Sequence, residues 1–162
     1  MLTLAYLGLG ANLGDPIQQM VDAREALLGL ESTLRIRCSN FYVSSPVGYE
    51  AQADFVNCVV ELETTSGALE LLDDMQAIEN AIGRQRVADN QNAPRVIDID
   101  LLLFGDQVID IERLQVPHPR MKNRLFVLEP LLELANLEPY RIAVEAGDFQ
   151  GQELARLTIG RY

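Results

Sequence analysis

Thr33-Leu-Arg-Ile-Arg-Cys-Ser-Asn-Phe-Tyr-Val43 and Phe55-Val-Asn-Cys-Val-Val-Glu-Leu-Glu63 decide the fold class, because two long strand-like runs follow each other with no helix between them. β-branched, aromatic and aliphatic residues recur through both, as suits a pleated, half-buried surface. Between them Ser44-Ser45-Pro46-Val47-Gly48-Tyr49 reads as a loop. The runs are close enough to pair antiparallel around it. A doubly wound parallel sheet would need a helical crossover here, so strands and helices that otherwise alternate read as α+β.

Upstream, residues 2–9 form an apolar strand that runs into Gly8-Leu-Gly-Ala-Asn-Leu-Gly14. The G-x-G-x-x-x-G spacing departs from the dinucleotide fingerprint, so these glycines read as a loop that turns or lets a ligand approach the backbone. Asp15 can cap a helix with Pro16 at its first position and Gln18 completing a capping-box pattern. Ile17, Met20, Val21, Leu27 and Leu28 share one face, and Gly29 ends it. Downstream, Ser66 can cap a helix in which Leu71, Leu72, Met75, Ile78 and Ile82 keep helical spacing, Gln76 and Glu79 lie on the polar side, and Gly83 stops it.

After the polar, aperiodic loop 84–93 comes Pro94-Arg-Val-Ile-Asp-Ile-Asp-Leu-Leu-Leu-Phe-Gly105, a buried strand interrupted by Asp98 and Asp100. Residues i and i+2 of a strand point to one face, roughly 6–7 Å apart. Two anions at about 6 Å repel by about 3 kcal/mol at an effective dielectric near 20. Something positive should therefore sit between them, and Mg²⁺, which takes one or two carboxylates plus substrate phosphates, fits. A solvent-facing carboxylate beside one paired to a distant arginine is the bland alternative. Farther on, Gln107-Val-Ile109 is a short strand and Val116-Pro-His-Pro-Arg120 a rigid extended segment. A last helix is expected to begin near Pro130, and the tail 136–162 reads as irregular.

The 162 residues are 48% apolar, enough for one domain, 1–162, with a real core. No apolar run is long enough to span a membrane. The opening residues lack a basic n-region and a cleavage pattern, so a cytoplasmic location is expected. Cys38 and Cys58 read as buried free thiols, and no zinc spacing exists. A net charge of −11 argues against a nucleic-acid partner. Yet seven of the 13 basic residues, with the only histidine, His118, fall between positions 84 and 124. Cations gathered around an acidic pair suit a metal-bound polyanion.

Taken in order, Gly8-Leu-Gly-Ala-Asn-Leu-Gly14, Asp54-Phe-Val-Asn57, Gly83-Arg-Gln-Arg86, the Pro94–Leu103 strand and Val116-Pro-His-Pro-Arg-Met-Lys-Asn-Arg124-Leu-Phe-Val-Leu resemble the 6-hydroxymethyl-7,8-dihydropterin pyrophosphokinase family. The resemblance implies a ferredoxin-like, antiparallel-rich sheet with helices packed on it in a three-layer α/β/α sandwich. It implies transfer of pyrophosphate from ATP, the co-substrate, to the pterin hydroxymethyl group. Asp98 and Asp100 would hold two Mg²⁺ ions, with Arg84 and Arg95 beside them in the catalytic set. Gln76, Glu79, Arg84, Arg86, Arg95, His118, Lys122 and Arg124 would bind ATP; arginine forks suit phosphate. Ser44, Ser45, Val47, Phe55, Asn57 and Phe126 would bind the pterin, Asn57 through its amide and the phenylalanines through their faces. A monomer with no membrane partner is expected. One departure stands out. Many members carry Arg-Trp-Gly-Pro-Arg before the aspartates; here the segment is Asn90-Gln-Asn-Ala-Pro-Arg95. A descendant that binds nucleotide or pterin without turnover is the competing reading.

Overall fold

The computed structural model describes residues 1–45, 53–83, 96–147 and 149–157. Its elements are β1 (Thr3–Ala11), α1 (Pro16–Leu28), β2 (Thr33–Cys38), β3 (Tyr42–Ser44), β4 (Phe55–Thr64), α2 (Ala68–Ile82), β5 (Asp98–Phe104), β6 (Ile109–Ile111), β7 (Leu114–Val116), α3 (Leu125–Leu134), α4 (Glu138–Ala146) and β8 (Leu154–Arg156). The main sheet runs β5-β1-β4-β3-β8, with β2 also on β4. Every pairing in it is antiparallel. With α1 and α2 as the two crossovers, this is the expected ferredoxin-like order, and helices cover both faces.

Side-chain alternation divides the sheet. Ala5, Leu7, Leu9 and Ala11 of β1, with Val56, Cys58, Val60 and Leu62 of β4, face α1 and α2, where Met20, Ala23, Leu27, Leu71, Met75 and Ile78 close the larger core. Val59 and Leu102 face the other way, onto Met121 just before α3 and Val127, Leu128 and Leu131 within it, with α4 beside them. A register shift between Tyr6 and Leu7 accommodates an extra residue in β5. It leaves Leu101 and Phe104 in the first core and Leu102 in the second.

Several local expectations are corrected. The run 33–43 is two strands, not one. From Cys38 to Tyr42 the chain takes four steps while β4 takes three, Val60 to Asn57. Ser39 is the cause: its N–H donates to Val59 C=O at 2.9 Å and its Oγ accepts from Val59 N–H at 2.9 Å. The glycine run is not a loop from Gly8, because β1 continues through Ala11. Asp15 does cap α1, accepting from Gln18 N–H at 3.1 Å, but the Gln18 side chain turns to Asp22 instead of closing the box. Gly67, not Ser66, stands at the N-cap of α2; the Ser66 hydroxyl is spent on Gly67 C=O. The short strand after Gly105 is Ile109–Ile111, in a separate hairpin with β7. The last expected helix starts at Leu125 and carries Pro130 inside it. The tail is not irregular throughout, since it holds α4 and β8. Cys38 and Cys58 are free thiols, as expected, but only Cys58 is buried and Cys38 is half-buried.

The second layer is tied down by polar contacts. The buried Glu61 carboxylate takes both arms of Arg37, at 2.7 and 2.8 Å, and the Tyr6 hydroxyl at 2.8 Å. Arg37 also donates to Leu134 C=O, at the end of α3, at 2.7 Å. Burial, helped by Glu61, pushes the Tyr6 hydroxyl up to about 12. The Arg37 fork, aided by the Tyr6 hydrogen bond, holds Glu61 below its ordinary value of 4.5. A carboxylate with a depressed native pKa stabilises the fold above its unfolded pKa and loses that contribution as pH falls. Glu61→Ala is therefore expected to lower stability by about 1–2 kcal/mol at pH 7, Arg37 being half exposed and able to rehydrate. The gap should shrink as the pH drops below 4.5; denaturant titrations of both proteins at pH 7 and in that acid range check it.

Candidate active site

On the α3 face, β1 carries no side chain at Gly8 or Gly10. Gly10 lies between Asn57 of β4 and Asp98 of β5, and Gly8 between Val59 and Asp100. The bare strip forms the floor of a cleft of about 560 Å³. Asp98 and Asp100 rise on one side of it, on the same face of β5, while Asn57, Phe55, Ser44 and Ser45 stand on the other. The 3₁₀ turn Met121–Asn123 and the start of α3 supply the far wall: Asn123, Arg124, Phe126 and Val127. His118, Arg120 and Gln152 complete the lining used below.

Each group is held from behind. Asn57 is buried and its amide N–H donates to Ser44 Oγ at 2.8 Å. That leaves the amide oxygen as an acceptor toward the glycine floor, 3.2 Å from where a Gly10 Cβ would lie. Between the two carboxylates, Ile99 N–H donates to Glu79 Oε1 at 2.8 Å, so α2 steadies the strand that presents them. His118 N–H donates to Leu102 C=O at 2.9 Å, and its ring Nδ1 accepts from Arg120 N–H at 3.2 Å. Burial lowers the His118 pKa, and Arg124 and Arg120 push the same way against Asp100. With Nδ1 engaged as an acceptor, the neutral ring carries its proton on Nε2, making His118 a donor rather than a base. The Arg124 guanidinium lies 5.7 Å from the centre of the Phe126 ring.

The donor set fits hard divalent cations. It is two carboxylates on one strand with open space over glycine between the walls. Among the described residues no three acidic, histidine or cysteine side chains converge closely enough to hold a metal ion by themselves. Remaining coordination positions would fall to ligand oxygens and water, the usual situation for Mg²⁺.

Comparison with known proteins agrees with this geometry. Residues 6–136 match the family model of 7,8-dihydro-6-hydroxymethylpterin-pyrophosphokinase (HPPK). The chain belongs to this family. A 2-amino-4-hydroxy-6-hydroxymethyldihydropteridine pyrophosphokinase of Haemophilus influenzae is 43% identical over 82% of this chain and 81% of its own length. One of Bacillus subtilis is 44% identical over 83% of this chain and 79% of its own. Among solved structures, the Plasmodium falciparum HPPK-DHPS wild type with pteroate superposes at a TM-score of 0.67 with 15% identity, over 91% of this chain and 42% of that longer one. At that identity it speaks for the HPPK fold alone.

Within the HPPK cleft, the structure gathers Asp98, Asp100, His118, Arg124, Ser44, Ser45, Phe55, Asn57 and Phe126 from the set read off the sequence. Gln76, Glu79 and Lys122 are not among its described lining residues; the Glu79 carboxylate accepts from the Ile99 amide between the two aspartates. Val47, Arg84, Arg86 and Arg95 lie outside the described residues. Gly8, Gly10, Arg120, Asn123 and Gln152 were not singled out as site residues. Alternation along β1 could have placed the two glycines, once the strand was extended to Ala11; nothing local marks Gln152. Gly10→Ala would set a methyl tight against the Asn57 amide oxygen. Displacement of the Asn57–Ser44 hydrogen bond is expected, with a stability cost of about 1 kcal/mol. A shifted Asn57 side-chain amide resonance reads the first, and a denaturant melt the second.

Proposed function

We propose that this chain transfers pyrophosphate from ATP to the hydroxymethyl oxygen of 6-hydroxymethyl-7,8-dihydropterin, giving AMP and the pterin diphosphate on the way to folate. The observation that carries this reading is one cleft with two chemically different ends. At one end Asn57, Ser44, Ser45, Phe55 and Phe126 offer amide and hydroxyl groups beside two aromatic rings, as a flat bicycle with donors and acceptors on its edge requires. At the other, Asp98 and Asp100 share the lining with Arg124 and His118, whose ring feels the Asp100 charge.

Asp98 and Asp100 would hold two Mg²⁺ ions. Bound there, Mg²⁺ would neutralise phosphate oxygens and lower the pKa of the attacking hydroxyl. Arg124 would clamp phosphate oxygens through its fork, and His118 would donate to one from Nε2. Phe126 and Asn57 would fix the pterin so that its hydroxymethyl group lies near the carboxylates; such positioning accounts for much of the catalysis in phosphoryl transfer. No residue is assigned as a general base, because the one nearby imidazole is committed as a donor. The family resemblance alone supports Arg84, Arg86, Arg95, Gln76 and Lys122 on the ATP side, Arg84 and Arg95 in the catalytic set, and Val47 on the pterin side. It likewise supports a single pyrophosphokinase domain, a cytoplasmic location and a monomer; no described helix is long and apolar enough to cross a membrane.

Incubation with the pterin, ATP and Mg²⁺ is expected to release AMP, and its absence from a folded sample would overturn the reading. Asp98→Ala and Asp100→Ala should each lower kcat by about 10²-fold or more while leaving the protein folded. Turnover with either variant intact would remove the metal assignment.

A further inference from the structure

Gln152 lies beyond residues 6–136, the stretch that matches the family model, yet it lines the cleft. It sits between α4 and β8, its N–H donating to Phe149 C=O at 3.1 Å. Two residues on, β8 adds itself to the edge of β3 with Leu154 opposite Ser44. The tail is thereby fixed to the wall that holds Ser44 and Ser45. From that wall Gln152 reaches across to the other. Its Oε1 accepts from Leu125 N–H at 2.9 Å, and its Nε2 donates to Asn123 C=O at 2.8 Å.

Those partners are informative. The first N–H groups of a helix have no partner inside it. Leu125 is the first residue of α3, and Arg124 at the N-cap makes no capping hydrogen bond with its side chain. Gln152 supplies the missing acceptor from a distant segment and holds the preceding carbonyl with the same amide. Arg124 is gripped between these two points, with φ −120° and ψ 105°. A single amide can do this because its oxygen accepts while its nitrogen donates.

We infer that Gln152 is a positioning residue: by holding Asn123 and Leu125 it sets where Arg124 and Phe126 stand, and so the affinity of the cleft for a phosphate chain and a flat ring. The inference rests on the assignment of Arg124 and Phe126 made under Proposed function. It adds that the tail outside the family-matching stretch is part of the binding apparatus.

Gln152→Met keeps the side chain's bulk and removes both hydrogen bonds. Equilibrium dissociation constants for a non-hydrolysable ATP analogue with Mg²⁺ and for the pterin are compared with wild type. Hydrogen exchange at the Leu125 amide and kcat at saturating substrate are measured alongside. Both constants should rise about three- to tenfold, the factor that corresponds to one hydrogen bond. The Leu125 amide should exchange faster, and kcat/KM should fall further than kcat, since displaced Arg124 and Phe126 weaken substrate binding as well as positioning. Unchanged dissociation constants overturn the inference. So does a fall in kcat with a lowered melting temperature and unaltered affinity, the mark of a purely structural residue. Because binding is read without turnover, a wild type that binds both ligands and forms no AMP defeats the pyrophosphokinase reading, while the Gln152→Met comparison still decides this one.

Discussion

Gly8 and Gly10 leave one face of β1 bare while Leu7, Leu9 and Ala11 fill the other, and β1 lies between β4 and β5 at the heart of the sheet. Sheets normally bury or solvate a face along its whole length. Here the α1–α2 face is closed from end to end, but the α3 face is closed only where Val59 and Leu102 give α3 something to pack on. Beyond that point the glycines permit a trough. Its two sides are the neighbouring strands' own side chains, Asn57 from β4 and the two aspartates from β5. Glycine in a strand interior weakens it; the apolar packing on the opposite face offsets that loss.

α3 therefore has two jobs, and its two ends are held differently. Its C-terminal end is fastened to the sheet by charge: Arg37 reaches Leu134 C=O, and Glu133 accepts from the Asn40 backbone and side chain and from the Tyr42 hydroxyl. Burial, reinforced by that carboxylate, pushes the Tyr42 hydroxyl well above its usual range. These contacts also explain why the β2–β3 run breaks where it does, since Asn40 must leave the strand to meet Glu133. The N-terminal end carries Arg124 and Phe126 into the trough and is held by neutral amide groups of Gln152. The apolar middle of the helix joins the two.

Much of this was legible before any coordinates. The two helix-free strands announced the antiparallel sheet, and the Asp98–Asp100 parity placed both carboxylates on one face, where they are. Of the cation cluster, His118, Arg120 and Arg124 line the same cleft as the aspartates, while Arg113 pairs with Asp73 on α2 instead. Most of what stayed hidden depends on distant partners. Ser39 breaks a strand because of Val59, on β4, whereas Ser66 is missed for a local reason, the helix starting one residue later with Gly67 at its N-cap. β8 forms because β3 has a free edge, and three residues of mixed character give no period to detect. The helix was expected to begin near Pro130, where the apolar run Leu131, Leu132 and Leu134 starts; packing of Val127, Leu128 and Leu131 against the sheet carries it through the proline from Leu125.

β5 is an outer strand of the sheet, and outer strands ordinarily offer a row of unpaired amides and carbonyls to any other chain. In this one, Ile99 N–H is taken by the Glu79 carboxylate and Leu102 C=O by the His118 amide. The same two contacts that steady the aspartates and bring the histidine alongside thus occupy two backbone groups of this apolar edge, Ile-Asp-Leu-Leu-Leu-Phe. One pair of hydrogen bonds serves both the cleft and the strand edge, so loss of the Glu79 carboxylate would bare an edge amide as well as loosen the aspartates.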